Sequence, residues 1–114
     1  MTTRILVPTG ALGISFSDEA FARGIAAKPD IICVDGGSTD SGPFYLGTGT
    51  SKYSRAATKE EWRRLMIARE EAGVPLVIGT CGTCGADAAV DWMLSITQEL
   101  ASELGQTVKI ATLY

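Results

Sequence analysis

Three short apolar runs recur along the chain: "RILV" (4–7), "DIICVD" (30–35) and "PLVIG" (75–79). Each leads directly into a turn rich in Gly, Ser, Thr and Asp. Runs of this length without polar alternation are what strands buried in a parallel sheet look like. Segments with helical spacing separate them. Parallel neighbours need a crossover long enough to hold a helix, so this alternation predicts an α/β fold with a parallel sheet.

The helices are bounded by recognisable signals. In "SDEAFARGIAAK" (17–28), Ser17 is a candidate N-cap, and Asp18 and Glu19 complement the helix dipole. Phe16 and Phe21 fall at the positions of a hydrophobic staple. In "TKEEWRRLMIAREEAG" (58–73), Thr58 and Glu61 read as a capping box, and Gly73 followed by Pro75 ends the helix. Trp62, Leu65, Met66 and Ala72 fall on one face. A third helix covers 86–105, with Val90, Met93, Thr97, Leu100 and Leu104 as its inner stripe and Gly105 closing it. "TVKIATLY" (107–114) reads as a fourth strand, and Lys109 suggests a sheet edge or a partly exposed strand. The whole is a single α/β domain of 114 residues. It predicts a Rossmann-like or flavodoxin-like four-stranded parallel sheet (β-α-β-α-β-α-β), ordered 2-1-3-4, with helices on both faces. In that order the first helix alone covers one face, which predicts a homo-oligomer or a missing continuation of the chain.

Composition narrows the function classes. A net charge of −3 argues against bulk nucleic-acid binding, which needs a basic face. No segment approaches the roughly 18 apolar residues of a membrane span. "MTTRILVPTG" breaks at Pro8 and Gly10, too early for a signal peptide, so a cytoplasmic protein is expected. Histidine is absent, so acid–base chemistry falls to Asp, Glu, Lys, Tyr or Cys.

Open parallel sheets bind ligands outside the carboxyl ends of their strands. Here those ends carry "PTGALG" (8–13), "DGGSTDSGPFYLGTGTSKYSRAAT" (35–58) and "GTCGTCGAD" (79–87), whereas the opposite connections are short and plain. The second segment is long for a structureless loop, and such loops are often functional. Asp35 is the candidate general base, with Asp40 supporting it or joining it around a divalent cation such as Mg²⁺. A carboxylate that only caps its own loop is the competing reading of Asp35. Lys52 and Arg55 would clamp a carboxylate or phosphate. Gly36, Gly37, Gly42, Gly47 and Gly49 would let backbone approach a ligand closely. Thr9, Gly10, Ser38 and Thr39 complete the first two turns. In the third, Thr80, Cys81, Gly82, Thr83, Cys84 and Gly85 would face an anion at the start of the last helix.

Cys33 reads as a small buried strand residue. Cys81 and Cys84 form a C-x-x-C at a helix N-terminus, where the dipole favours thiolate. Thioredoxin-like proteins place that motif early and a cis-proline later, whereas every proline here precedes Cys81. A zinc site needs four ligands, which one C-x-x-C without histidine does not supply within one chain. A Gly/Thr anion turn is the remaining reading, although it matches no nucleotide-binding motif.

"ILVPTGALG", "DIICVDGGSTDSGPFYLGTG", "SKYSRAA" and "VPLVIGTCGTCGADAAVDW" resemble the N-terminal part of the acyclic terpene utilisation protein AtuA family. The resemblance covers essentially the whole chain. Family members are considerably longer, which implies the N-terminal portion of such a protein or a split subunit working with a partner chain. The family takes its name from bacterial catabolism of acyclic terpenes such as citronellol and geraniol through acyl-CoA intermediates. The resemblance therefore implies an enzyme acting on a small carboxylate, phosphate or CoA-linked ligand, with a lyase or hydratase type of reaction. It also implies that sulfur in the third turn is optional. Two other readings stand beside it: a non-catalytic partner-binding subunit of a hetero-oligomer, and a C-x-x-C thiol–disulfide protein.

Overall fold

The computed structural model describes residues 1–37 and 39–114, and for residues 39 and 42 the backbone alone. Three strands, β1 (Ile5–Leu6), β2 (Ile31–Asp35) and β3 (Leu76–Gly79), form an all-parallel sheet in the order β1-β2-β3. Four helices join and follow them: α1 (Asp18–Ala26), α2 (Gly42–Thr48), α3 (Arg55–Ala72) and α4 (Asp87–Leu104). No helix among the described residues is long and apolar enough to cross a membrane.

The α/β class and the three parallel strands agree with the sequence reading, but the four-stranded 2-1-3-4 sheet does not. Residues 107–114 make no ladder with any strand. Their ends are tied to helices instead. The side-chain N–H of Gln106 donates to the Met66 carbonyl at 3.4 Å, and the Tyr114 hydroxyl donates to Asp91 at 2.6 Å.

The helices also fail to divide between two faces, and strand order is the reason. Both crossovers step the same way across the sheet, so right-handed connections put α1 and α3 on one face. Register confirms it. Leu6, Ile32 and Leu76 form one row, with Val34 beside Ile78, all turned toward the core. Ile32 and Val34 are buried. Ile5 and Ile31, and Cys33 and Val77, make the opposite rows, where Ile5 is 62% exposed and Val77 47%. Cys33 is therefore a half-buried residue of an open face rather than a fully buried one.

Helix boundaries largely follow local chemistry. Ser17 caps α1 by accepting from the Ala20 N–H, and Phe16 meets Phe21 edge to face at 5.3 Å. Gly73 and Gly105 end α3 and α4 in the left-handed region, at φ 67° and 65°. However, α3 begins earlier than its sequence signals suggest. Ser54 is the N-cap, accepting from Ala57 N–H, so Thr58 and Glu61 are not a capping box. The core gathers Trp62, Leu65 and Met66 of α3 with Met93, Ile96 and Leu100 of α4 over β2. Trp62 satisfies its indole N–H on Thr97 at 2.9 Å. The segment 35–58 is not structureless either. A 3₁₀ turn (Thr39–Ser41) leads into α2, which Gly49 closes at φ 68°.

Candidate functional site

The carboxyl ends of the three strands bring their turns into direct contact. The Leu12 N–H donates to the Asp35 carbonyl at 2.9 Å, and the Gly36 N–H to the Gly79 carbonyl at 2.7 Å. Glycine is required at the junction. A Cβ on Gly36 would lie 2.2 Å from the Thr80 carbonyl oxygen, and one on Gly37 would lie 2.8 Å from the Thr83 hydroxyl. These glycines make room for a neighbouring turn rather than for a ligand. Gly10, Gly47 and Gly49 have open space where a side chain would go. The space left among Leu12, Gly36, Ser51, Gly82 and Trp92 is too small for a water molecule. Any ligand at this end therefore meets the outer surface of the turns.

Asp35 stands exposed at the end of β2. Its Oδ1 accepts from the Gly37 N–H at 2.9 Å and from the Thr80 hydroxyl. Among the described residues, Oδ2 accepts nothing. Among the described residues, the carboxylate is thus oriented through one oxygen. Thr80 also reaches the Gly37 carbonyl at 3.2 Å.

The third turn is strained. Thr80 and Thr83 hold φ of 48° and 82°, a region that β-branched residues rarely occupy. Strain of this kind costs about 1–3 kcal/mol per residue and clusters at functional sites. Thr83 is fully buried, and its hydroxyl has no hydrogen-bond partner among the described residues. The N–H groups of Thr83 and Gly85 close turns onto the carbonyls of Thr80 and Cys81 at 2.9 and 3.0 Å. Among the described residues, the amide of half-buried Cys84 makes no such turn bond, whereas Gly82 is buried.

The other candidates are dispersed. Lys52 donates to the Ser41 hydroxyl at 3.1 Å and lies 5.6 Å from the Tyr53 ring. Arg55 turns toward α4, where it pairs with Glu99 at 2.8 Å, and so does not join Lys52 in a clamp. Asp40 is exposed in the 3₁₀ turn. Ser38 and the side chain of Thr39 lie outside the described residues. Thr9 uses its hydroxyl within its own turn, bonding Ala11 N–H at 3.2 Å and Ala11 O at 3.1 Å. Among the described residues, no three His, Cys, Asp or Glu side chains converge as a metal site would require.

Both turn cysteines are free thiols. Burial pushes the Cys81 thiol up, and the neighbouring Cys84 adds to the rise, partly offset by a backbone hydrogen bond. The rise runs against the thiolate expected in the sequence reading, and Cys81 lies outside α4, which begins at Asp87.

Glu61 is the organising residue that sequence reasoning missed. Buried in the second turn of α3, it accepts from the N–H groups of Gly13 and Ser15. It thereby holds Ser15 at φ 86° and fixes the first turn against α3. Its signal in the sequence was a carboxylate on the apolar face, one residue before Trp62. The capping-box reading absorbed that signal. Tyr53 works from the other side, with its Cβ 2.7 Å from where a Gly13 side chain would begin.

Set against family models, curated proteins and solved structures, the chain matches none of them.

Proposed function

We propose that the chain is an AtuA-like enzyme domain acting on a small carboxylate or acyl-CoA type of substrate, with Asp35 as the group that moves the proton. The observation carrying this reading is the asymmetry of the Asp35 carboxylate, one oxygen held by Gly37 and Thr80 and the other, among the described residues, accepting no bond. A general base must be oriented and must keep an acceptor open to the substrate. In a hydratase reaction, Oδ2 would take a proton from a water as its oxygen bonds the β-carbon of the alkene, and would return that proton to the α-carbon of the resulting enolate. The amide of Cys84 would face the developing oxyanion, a role that requires donors fixed in advance. The strained third turn provides such fixing. Phe44 and Leu46 of α2 are exposed, and an acyl chain has apolar surface there to pack against.

The test is hydration of enoyl-CoA thioesters by the protein and its variants, with solvent deuterium incorporation at the α-carbon as a second readout. Asp35→Asn should lower turnover by about 10²–10⁴-fold with the circular dichroism spectrum unchanged. Undiminished turnover in that variant would remove Asp35 from the mechanism.

A second reading, a non-catalytic subunit that works by docking a partner, draws on a different observation. The sheet leaves Ile5 and Val77 exposed on one face, where parallel sheets are normally covered. A protein that turns over none of these thioesters but forms a stable complex with a second chain would favour it.

A further inference from the structure

Between β3 and the segment 107–113 lies a groove of about 800 Å³. Its floor is apolar, made by Trp62 and Met66 of α3 and by Val90, Met93 and Leu94 of α4. The chain from Pro75 to Thr80 runs along it on the sheet side, and 107–113 runs along it too. Among the described residues, no hydrogen bond links the two.

The backbone on the sheet side is a free strand edge. The carbonyls of Pro75 and Gly79 bond to β2, through Ile32 and Gly36 N–H at 3.0 and 2.7 Å. Strand groups alternate in direction, so the N–H and C=O of Leu76 and Ile78 point away from β2 and into the groove. Residues 107–113 add backbone that makes no ladder bond among the described residues. Two unpaired backbone edges beside an apolar floor are complementary to one thing, an extended polypeptide strand.

Charge selects among strands. The charged residues lining the groove are Arg69 and Lys109, both cationic, in a chain whose net charge is −3. Arg69 lies at the end where β3 begins. Arg69 donates to the Val74 carbonyl at 3.2 Å, and Gln106, three residues before Lys109, is held to Met66. Lys109 has no ion-pair partner among the described residues, whereas Arg69 already pairs with Glu70 at 3.0 Å. This chain's own strands with an unpaired edge are poor occupants, because β1 follows Arg4 directly and 107–114 carries Lys109.

We infer that the groove accepts an extended strand from a different polypeptide, apolar toward α3 and α4 and bearing a carboxylate beside Lys109. The strand would pair with Leu76 and Ile78 and extend the parallel sheet beyond β3. This inference does not depend on the enzymatic reading.

The probes are capped seven-residue peptides alternating valine and threonine, with one aspartate at either the first or the last position. Their binding to the full chain is followed by fluorescence polarisation and amide hydrogen exchange. Saturable binding of one aspartate peptide, with new protection at Leu76 and Ile78, is the expected result. Replacing its aspartate by lysine should weaken binding by about threefold or more, the range of an exposed ion pair, and Lys109→Glu should reverse that preference. N-methylation of alternate peptide amides should abolish binding. Three results would overturn the inference. One is protection of Leu76 and Ile78 in the free chain, meaning that 107–113 closes onto β3. Another is equal binding of the methylated peptide. The third is a homodimer that protects the same two amides.

Discussion

Adding a single methyl group at Gly36 would place a carbon 2.2 Å from the Thr80 carbonyl oxygen, a backbone atom that no rotamer change can move. Gly36→Ala should therefore destabilise the fold by about 3 kcal/mol, the upper end of overpacking costs, read as a lower denaturant midpoint. Glu61→Gln tests the tie between the first turn and α3. An amide side chain accepts through one atom where the carboxylate accepts through two, so one of the Gly13 and Ser15 N–H groups loses its partner. A loss of about 1–3 kcal/mol is expected, with faster amide exchange confined to 10–16. Thr83→Val goes the other way. It keeps the shape and removes a buried hydroxyl without a partner among the described residues, so stability should rise by about 1 kcal/mol in a denaturant titration. The same substitution should weaken turnover if that hydroxyl serves the reaction. At this scale the sequence marked Asp35, Gly36, Gly37 and Thr80 by their place after strands. It did not show that the glycines accommodate each other's turns. A Gly-rich turn looks the same whether its space is filled by ligand or by backbone.

The helices α3 and α4 are joined on their outer faces by an ion-pair network. Lys59 pairs with Glu103 at 2.6 Å and Glu99 at 3.2 Å, and Arg63 pairs with Glu103 at 2.6 Å. Hydrogen bonds from Arg55 and Lys59 hold the Glu99 carboxyl below its ordinary range, and those from Lys59 and Arg63 do the same for Glu103. A depressed carboxylate contributes stability that is present above the unfolded value near 4.5 and disappears as pH falls through the folded one. Thermal unfolding should therefore shift downward as pH drops below that value. Glu99→Gln combined with Glu103→Gln should flatten the dependence. Lys59 is raised, chiefly by its bond to Glu103, so its share persists through neutral pH and is lost only above the ordinary lysine value. The effect should be small and should shrink with salt, because these pairs are largely solvated. The sequence displayed α3 and α4 clearly through spacing and glycine stops. Their pairing across the network joins residues about 40 positions apart, which no local pattern encodes.

At the scale of the molecule, the exposed rows Ile5–Ile31 and Cys33–Val77 leave one side of the sheet apolar and uncovered. Such a surface associates unless a partner covers it. Light scattering of the isolated chain should show concentration-dependent association. Val77→Lys should reduce it without lowering the thermal midpoint, because that side chain contributes little to the core. An unchanged association would place the sticky surface elsewhere, with Phe44 and Leu46 of α2 as the next candidates.

The sequence by itself determined the α/β class, three of the strands, the course of the three long helices and the end of the sheet where the Gly/Thr/Asp turns collect. These follow from local physics: strand runs without alternation, capping residues, and glycine in the left-handed region. Tertiary structure decided the strand order, and with it the face on which every long helix lies. It also decided that 107–114 stands away from β3. An apolar segment such as "TVKIATLY" carries the propensity of a strand, but a strand exists only where a neighbouring edge comes within hydrogen-bonding reach. Here Gln106 and Tyr114 fasten that segment to α3 and α4 instead.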